Sequence, residues 1–132
     1  MKIIKIGSVS SAKGLSDYFT GSVRIDNAFT PPEPARVSFA HVTFEPNART
    51  AWHTHPYGQT IIITFGKGWV QKEDEPRQEV TAGDMVYFEP NERHWHGATD
   101  STAMSHYAIQ ESKGGLPVTW QEHVNEQDYK NG

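Results

Sequence analysis

Apolar and polar positions alternate through most of the chain in short runs, each closed by proline, glycine or asparagine. Such a rhythm, with turns about every 8–12 residues, predicts strands of an antiparallel barrel or sandwich. From Arg36 to Glu45 the period of two puts Val37, Phe39, His41 and Thr43 on one face, and Ser38, Ala40, Val42 and Phe44 on the other. Apolar side chains fall on both faces, so both are expected to be covered. Gln59 to Phe65 is β-branched and uncapped, and reads as a strand, with Gly66-Lys67-Gly68 as the turn into Trp69 to Glu73. Gln78 to Thr81, Met85 to Phe88, His94 to His96 and Thr102 to Gln110 continue the pattern. Met104, His106, Ala108 and Gln110 share one face of the last of these. Upstream, Ile3 to Ile6 and Ser22 to Ile25 read as peripheral strands or arms, and Thr30-Pro31-Pro32-Glu33-Pro34 as a connector that no sheet interior accepts. Near the C-terminus Asn125 is a helix N-cap, with Asp128 at the third helical position.

The bulk numbers narrow the function classes. A chain of 132 residues can bury one core, and a net charge of −4 offers nucleic acid no basic footprint. No apolar run approaches the ~20 residues that span a bilayer, and the N-terminus does not read as a signal peptide. The chain has no cysteine, which removes disulfides and thiolate ligands. A cytoplasmic protein acting on a small molecule is the simplest expectation, without nucleic acid or membrane partners.

Of the seven histidines, His53, His55, His94, His96 and His106 carry the chemistry. If Trp52 to Gln59 is a strand, His53, His55 and Gln59 point to one face and leave one side of a divalent cation open. His94 and His96 form a second His-x-His pair, either member of which could complete a four-donor site. An inward His106 would sit among small and apolar groups, where burial keeps an imidazole neutral, as a general base requires. Thr50, just before the ligand stretch, offers a hydroxyl to a substrate oxygen. His41 and His123 have no neighbouring donors and read as ordinary hydrogen-bonded histidines. Trp52, Trp69, Trp95 and Trp120 read as core and interface anchors. Trp52 and Trp95 must face away from the histidines they flank, which suggests that another subunit covers them.

With these residues in view, the chain resembles the cupin superfamily in both of its motifs. Asn47, His53, His55, Gln59 and Gly66 fall at the offsets of the first, with asparagine for a glycine and Gln59 for the usual glutamate. Gly83 and His94 match the second, with Asn91 in a glycine slot and Glu89 and Ala98 where proline and asparagine are usual. The resemblance implies an all-β, single-domain double-stranded β-helix, or jelly-roll barrel. Its core would span about 36–112, between N-terminal strands or an arm (1–35) and an extension with a short helix (113–132).

A nearly end-to-end resemblance is to small bacterial manganese-dependent cupin hydroxynitrile lyases. It rests on Asp17-Tyr18-Phe19-Thr20-Gly21, on Ala48-Arg49-Thr50-Ala51-Trp52-His53-Thr54-His55-Pro56, on His94-Trp95-His96-Gly97-Ala98 and on Ala108-Ile109-Gln110-Glu111. It implies His53, His55, Gln59 and His94 as ligands of one divalent ion, Mn²⁺ first, with Fe, Ni, Co or Zn as alternatives. It also implies His106, His96 and Thr50 as acid/base and substrate-contacting groups, and Ala40, Val42 and Gln110 as pocket walls. The implied reaction is reversible cleavage of a cyanohydrin to a carbonyl compound and hydrogen cyanide. The alternatives are a metal-dependent oxygenase, isomerase or decarboxylase on a small carbonyl or enol compound, or a non-enzymatic binding protein. A homo-oligomer, dimer or tetramer, is expected.

Overall fold

A computed structural model describes residues 1–132 in full. The strands are β1 (Ala12–Lys13), β2 (Phe19–Thr20), β3 (Val23–Phe29), β4 (Val37–Phe44), β5 (Arg49–Thr50), β6 (His53–Thr54) and β7 (Gln59–Lys72). They continue as β8 (Gln78–Thr81), β9 (Met85–Phe88), β10 (His94–Ala98), β11 (Met104–Glu111) and β12 (Thr119–Trp120), before the one helix, α1 (Glu126–Asn131). All pairings are antiparallel and run β1-β3-β4-β11-β7-β10-β5-β2, with β8 and β9 also on β7 and with β12-β6 joined to β10. The all-β barrel expected from the alternation is therefore present, with its short terminal helix.

The predicted turn at Gly66-Lys67-Gly68 is absent. β7 runs through it as one strand of 14 residues. Its first half pairs with β11 and β9, and its second with β10 and β8, so β7 belongs to both walls of the barrel. A register shift opposite Ser105/His106 and the φ of +74° at Gly66 bend the strand from one wall to the other. The bend needs glycine, because a Cβ there would lie 2.0 Å from the Ala103 carbonyl oxygen.

Nor is Trp52 to Gln59 a single strand. β6 holds only His53 and Thr54, and Pro56, Tyr57 and Gly58 (φ +81°) turn the chain before Gln59 opens β7. Proline lacks the N–H a ladder needs, so the strand ends there. Ile3 to Ile6 forms no strand and is largely exposed, whereas Ser22 to Ile25 contributes to β3. Asn47 and Asn91, the asparagines in glycine slots, adopt φ of +73° and +61°.

The main core lies between the two walls, with Val23, Phe44, Ile61, Ile63 and Met104 almost fully buried. Trp52, Trp95, Val124 and Tyr129 form a separate cluster outside the barrel. The tryptophans do face away from the histidines, but the chain's own C-terminal segment covers them. The Tyr129 hydroxyl donates to the Ala98 carbonyl at 2.6 Å, and the buried Arg49 donates to the Val124 carbonyl at 2.8 Å and pairs with Glu126. Asn125 caps α1 by accepting from the Asp128 N–H at 2.8 Å. The face of β4 bearing Phe39 is not covered: Phe39 is 36% exposed and its cross-strand region holds Tyr107 at 45%.

Candidate metal centre and pocket

Cross-strand register assembles what the sequence scatters. His94 on β10 stands opposite His53 on β6, and Gln110 on β11 stands between Ser38 on β4 and Gln59 on β7. One ring nitrogen each of His53, His94 and His96 lies within 4.8 Å of the others. His55 joins through its ring, 5.0 Å from that of His53 and 5.6 Å from that of His94, centre to centre. The Gln59 Oε1 lies 3.3 Å from Nε2 of both His94 and His96.

Backbone carbonyls fix three of these rings. Nδ1 of His53, His55 and His94 each sits 2.8 Å from a carbonyl oxygen, of Ala51, Pro117 and Glu92 respectively. A carbonyl only accepts, so each Nδ1 carries the hydrogen and each Nε2 of a neutral ring presents a lone pair. Burial lowers the pKa of all three rings, well down for His53 and to about 3 for His94, and neighbouring histidines add to the effect at those two. Near neutral pH the Nε2 of His94 and the oxygen of Gln59 therefore face each other as two acceptors with no hydrogen between them. The buried Nε2 of His55 has no hydrogen-bond partner. A cation accepts all of these lone pairs, so the donor set His53, His55, Gln59 and His94 fits a divalent metal of borderline softness.

His96 is held differently. Its Nε2 faces Gln59 and its Nδ1 faces Nε2 of His106 at 3.1 Å, so it links the donor cluster to His106. Both rings are buried, which lowers the His106 pKa to about 4 and that of His96 well below its ordinary value. The Thr50 hydroxyl oxygen accepts from the His96 backbone N–H at 3.2 Å, leaving its own hydrogen free to donate.

Together these groups floor a cavity of about 140 Å³ whose apolar side is Phe19, Val42, Phe44, Ala108, Val118 and Trp120. The arrangement could hold a metal ion beside a pair of buried neutral imidazoles, with room for one small, partly apolar molecule. A cupin-domain profile matches residues 40–109. The chain is also 55% identical over 130 residues to the (R)-mandelonitrile lyase of Granulicella tundricola, covering 98% of this chain and 99% of that protein.

The chain belongs to the cupin family.

Among solved structures, this cupin superposes on a cupin-like protein of Thermotoga maritima with a TM-score of 0.84 at 37% identity, covering 98% of this chain and 96% of that one. A cupin domain from Rhodospirillum rubrum shares the fold, with a TM-score of 0.70 at 13% identity over 96% of this chain and 82% of that one.

The cavity brings together nearly every residue singled out from the sequence. Thr50, His53, His55, Gln59, His96, His106, Val42 and Gln110 line it, and His94 lies just behind, stacked on Phe88. Ala40 shares the inward face of β4 but packs against the apolar core instead of lining the cavity. His41, on the outward face, lies 3.0 Å from the Thr64 hydroxyl, and His123 is exposed beside Thr20.

Sequence reasoning missed the flanks. Phe19, Pro117, Val118 and Trp120 line the cavity, and Trp120 lies on the His53 ring at 4.7 Å, so it is more than the core anchor expected of it. β2 and β12 hold two residues each, too few to show a period. The only available signal was an apolar stretch, Leu116 to Trp120, directly after Gly114-Gly115.

Proposed function

We propose that this cupin is a hydroxynitrile lyase of the (R)-mandelonitrile lyase type, cleaving a cyanohydrin reversibly into an aldehyde or ketone and hydrogen cyanide. The observation that carries this reading is the buried His96–His106 pair facing the same cavity as the lone-pair donors. It occurs in a chain matching a protein of that name along 98% of its length.

His53, His55, Gln59 and His94 would hold the ion, for which we propose Mn²⁺. When bound, it supplies Lewis acidity toward the substrate oxygen, where negative charge develops. His106, neutral because it is buried, takes the hydroxyl proton of the cyanohydrin, and His96 Nδ1, facing its Nε2, shares the resulting charge. The carbon–cyanide bond then breaks, its electron pair leaves with cyanide, and the same proton returns to cyanide to give hydrogen cyanide. The Thr50 hydroxyl orients the substrate oxygen. The apolar wall takes the organic group: about 140 Å³ is close to the ~150 Å³ of an apolar cavity known to accept benzene. The phenyl ring of an aromatic cyanohydrin such as mandelonitrile suits that volume.

The test is turnover of a cyanohydrin panel by protein loaded with Mn²⁺, beside His106→Ala. We expect mandelonitrile cleavage that falls by about 10²–10⁴ in the variant. No cleavage by fully loaded protein at any pH would overturn the lyase reading, and oxygen uptake confined to iron-loaded protein would favour an oxygenase.

We also propose that a second copy of the chain covers the open sheet face. Across β4, β11, β7 and β9 the cross-strand rows His41-Tyr107-Ile62-Met85 and Phe39-Ile109-Thr60-Tyr87 hold no carboxylate, lysine or arginine, and Asp26 on β3 closes the first row beside His41. Tyr87 is 59% exposed and Met85 68%. A face whose centre is uncharged and apolar, with Asp26 and Glu111 only at its margin, can meet its own copy across a two-fold axis with its charges kept apart. Sedimentation should give a dimer or a multiple of it, and Tyr107→Glu should dissociate it; a monomeric wild type would overturn this.

A further inference from the structure

Gln59 enters the site as an amide, and an amide is useful to a cation only through its oxygen. At this position the other end of the same group is a nitrogen with two hydrogens, which would repel the ion. Something must therefore fix which end faces the histidines. The row Ser38-Gln110-Gln59 lies across β4, β11 and β7 on the inward face. The Gln110 Nε2 donates to the Ser38 hydroxyl at 2.7 Å and to the Ser38 backbone carbonyl at 3.3 Å. A backbone carbonyl has no hydrogen to give, so it selects the nitrogen end of Gln110. The Oε1 of Gln110 must then point the other way, where it accepts from the Gln59 Nε2 at 3.0 Å. With its nitrogen so engaged, Gln59 has only its oxygen left for the cluster, 3.3 Å from Nε2 of both His94 and His96.

We infer that Gln110 is a positioning residue for metal binding: the Ser38 carbonyl sets its amide, and it in turn sets the amide of Gln59 with the oxygen toward the donor cluster. This rests on the metal-site reading above and gives Gln110 a task beyond walling the pocket. It also gives a reason for glutamine, not glutamate, at position 59. A carboxylate there would set an oxygen against the Gln110 Oε1, and turning Gln110 over would set that oxygen against the Ser38 carbonyl.

The test is a double-mutant cycle read by Mn²⁺ affinity, with free Mn²⁺ followed by electron paramagnetic resonance and without any turnover assay. Gln110→Leu keeps approximate size and removes the acceptor, and Gln59→Leu removes the group it is said to orient. We expect Gln110→Leu to weaken Mn²⁺ binding by about 10–100-fold in the native background. In the Gln59→Leu background it should change affinity less than threefold, because the two residues act as a unit. An equal loss in both backgrounds would assign Gln110 a general packing role and overturn the inference, as would no loss in the native background. Should Gln110→Leu not fold, as judged by near-ultraviolet circular dichroism, Gln110→Met takes its place in the same cycle. A wild type that binds neither Mn²⁺ nor Zn²⁺ would overturn the metal-site reading, and this inference with it. Wild-type binding with an indifferent Gln110 would overturn the inference alone.

Discussion

His106 shows how a single residue acquires a chemical character that its identity does not give. Free histidine titrates near pH 6.5, but this ring is fully buried, lies tilted against Phe44 with ring centres 5.4 Å apart and meets only another buried imidazole through Nε2. Burial disfavours the charged form, so its folded pKa falls to about 4 while its unfolded value stays ordinary. The unfolded chain therefore binds the extra proton first. The stability associated with a neutral His106 is fully present above about pH 6.5 and is lost as pH falls toward 4. Denaturant melts of metal-free protein should show stability declining over that window. His106→Gln should reduce the slope against pH by about one proton, and an unchanged slope would show that the ring is accessible to protons in the fold. Gln59 makes the complementary point. Its chemistry was legible as a spacing, but the end it presents depends on Ser38 and Gln110, 21 and 51 positions away.

At the scale of elements, the decisive feature is the bend in β7. Because this strand passes from one wall to the other, Gln59 at its start pairs beside Gln110 while Lys72 at its end pairs beside His94. A hairpin at Gly66-Lys67-Gly68 would have folded the second half back beside the first and left β10 without its partner. The alternation on either side of the glycines matches the strand, but the glycines themselves predict a turn, because local sequence does not say whether a bend reverses the chain. Gly66→Ala puts a Cβ against the Ala103 carbonyl and forces an alanine into left-handed φ. We expect a loss of at least about 2 kcal/mol in urea unfolding, since the opposing atom is backbone and cannot rotate away. Less than 0.5 kcal/mol would mean that β7 bends elsewhere. The turn at Pro56 to Gly58 matters in the same way: it, not a period of two, brings Gln59 round to His53 and His55.

At the scale of the whole molecule, the site ties together segments distant in the sequence. β6 and the turn after it, β7 and β10 carry the proposed donors, β4 carries Ser38, β11 carries Gln110 and His106, and the segment before β12 holds His55 through the Pro117 carbonyl. An ion bound by such a set stabilises the fold by mass action, about 2.7 kcal/mol at a hundred times its Kd. Chelation should lower the melting temperature, and Mn²⁺ should restore it in a concentration-dependent way. A melting temperature indifferent to both would count against a metal held by the native state. The C-terminal segment is as integral as the barrel. It covers Trp52 and Trp95, which the sequence suggested another subunit would cover, while the open apolar face lies on the opposite wall around Tyr107.

The sequence by itself determined the strand-rich architecture, the capped terminal helix, the absence of thiol chemistry and the donor inventory from His53 to His106. Alternation, capping and residue chemistry are local properties, set by neighbours within a few positions. Tertiary structure decided which strand continues where a turn was expected, which lone pairs converge, which histidine is paired to His106, and which tryptophan reaches the cavity. Those outcomes depend on cross-strand register and on which backbone carbonyl happens to stand opposite a given side chain. Both are fixed only when the whole sheet closes.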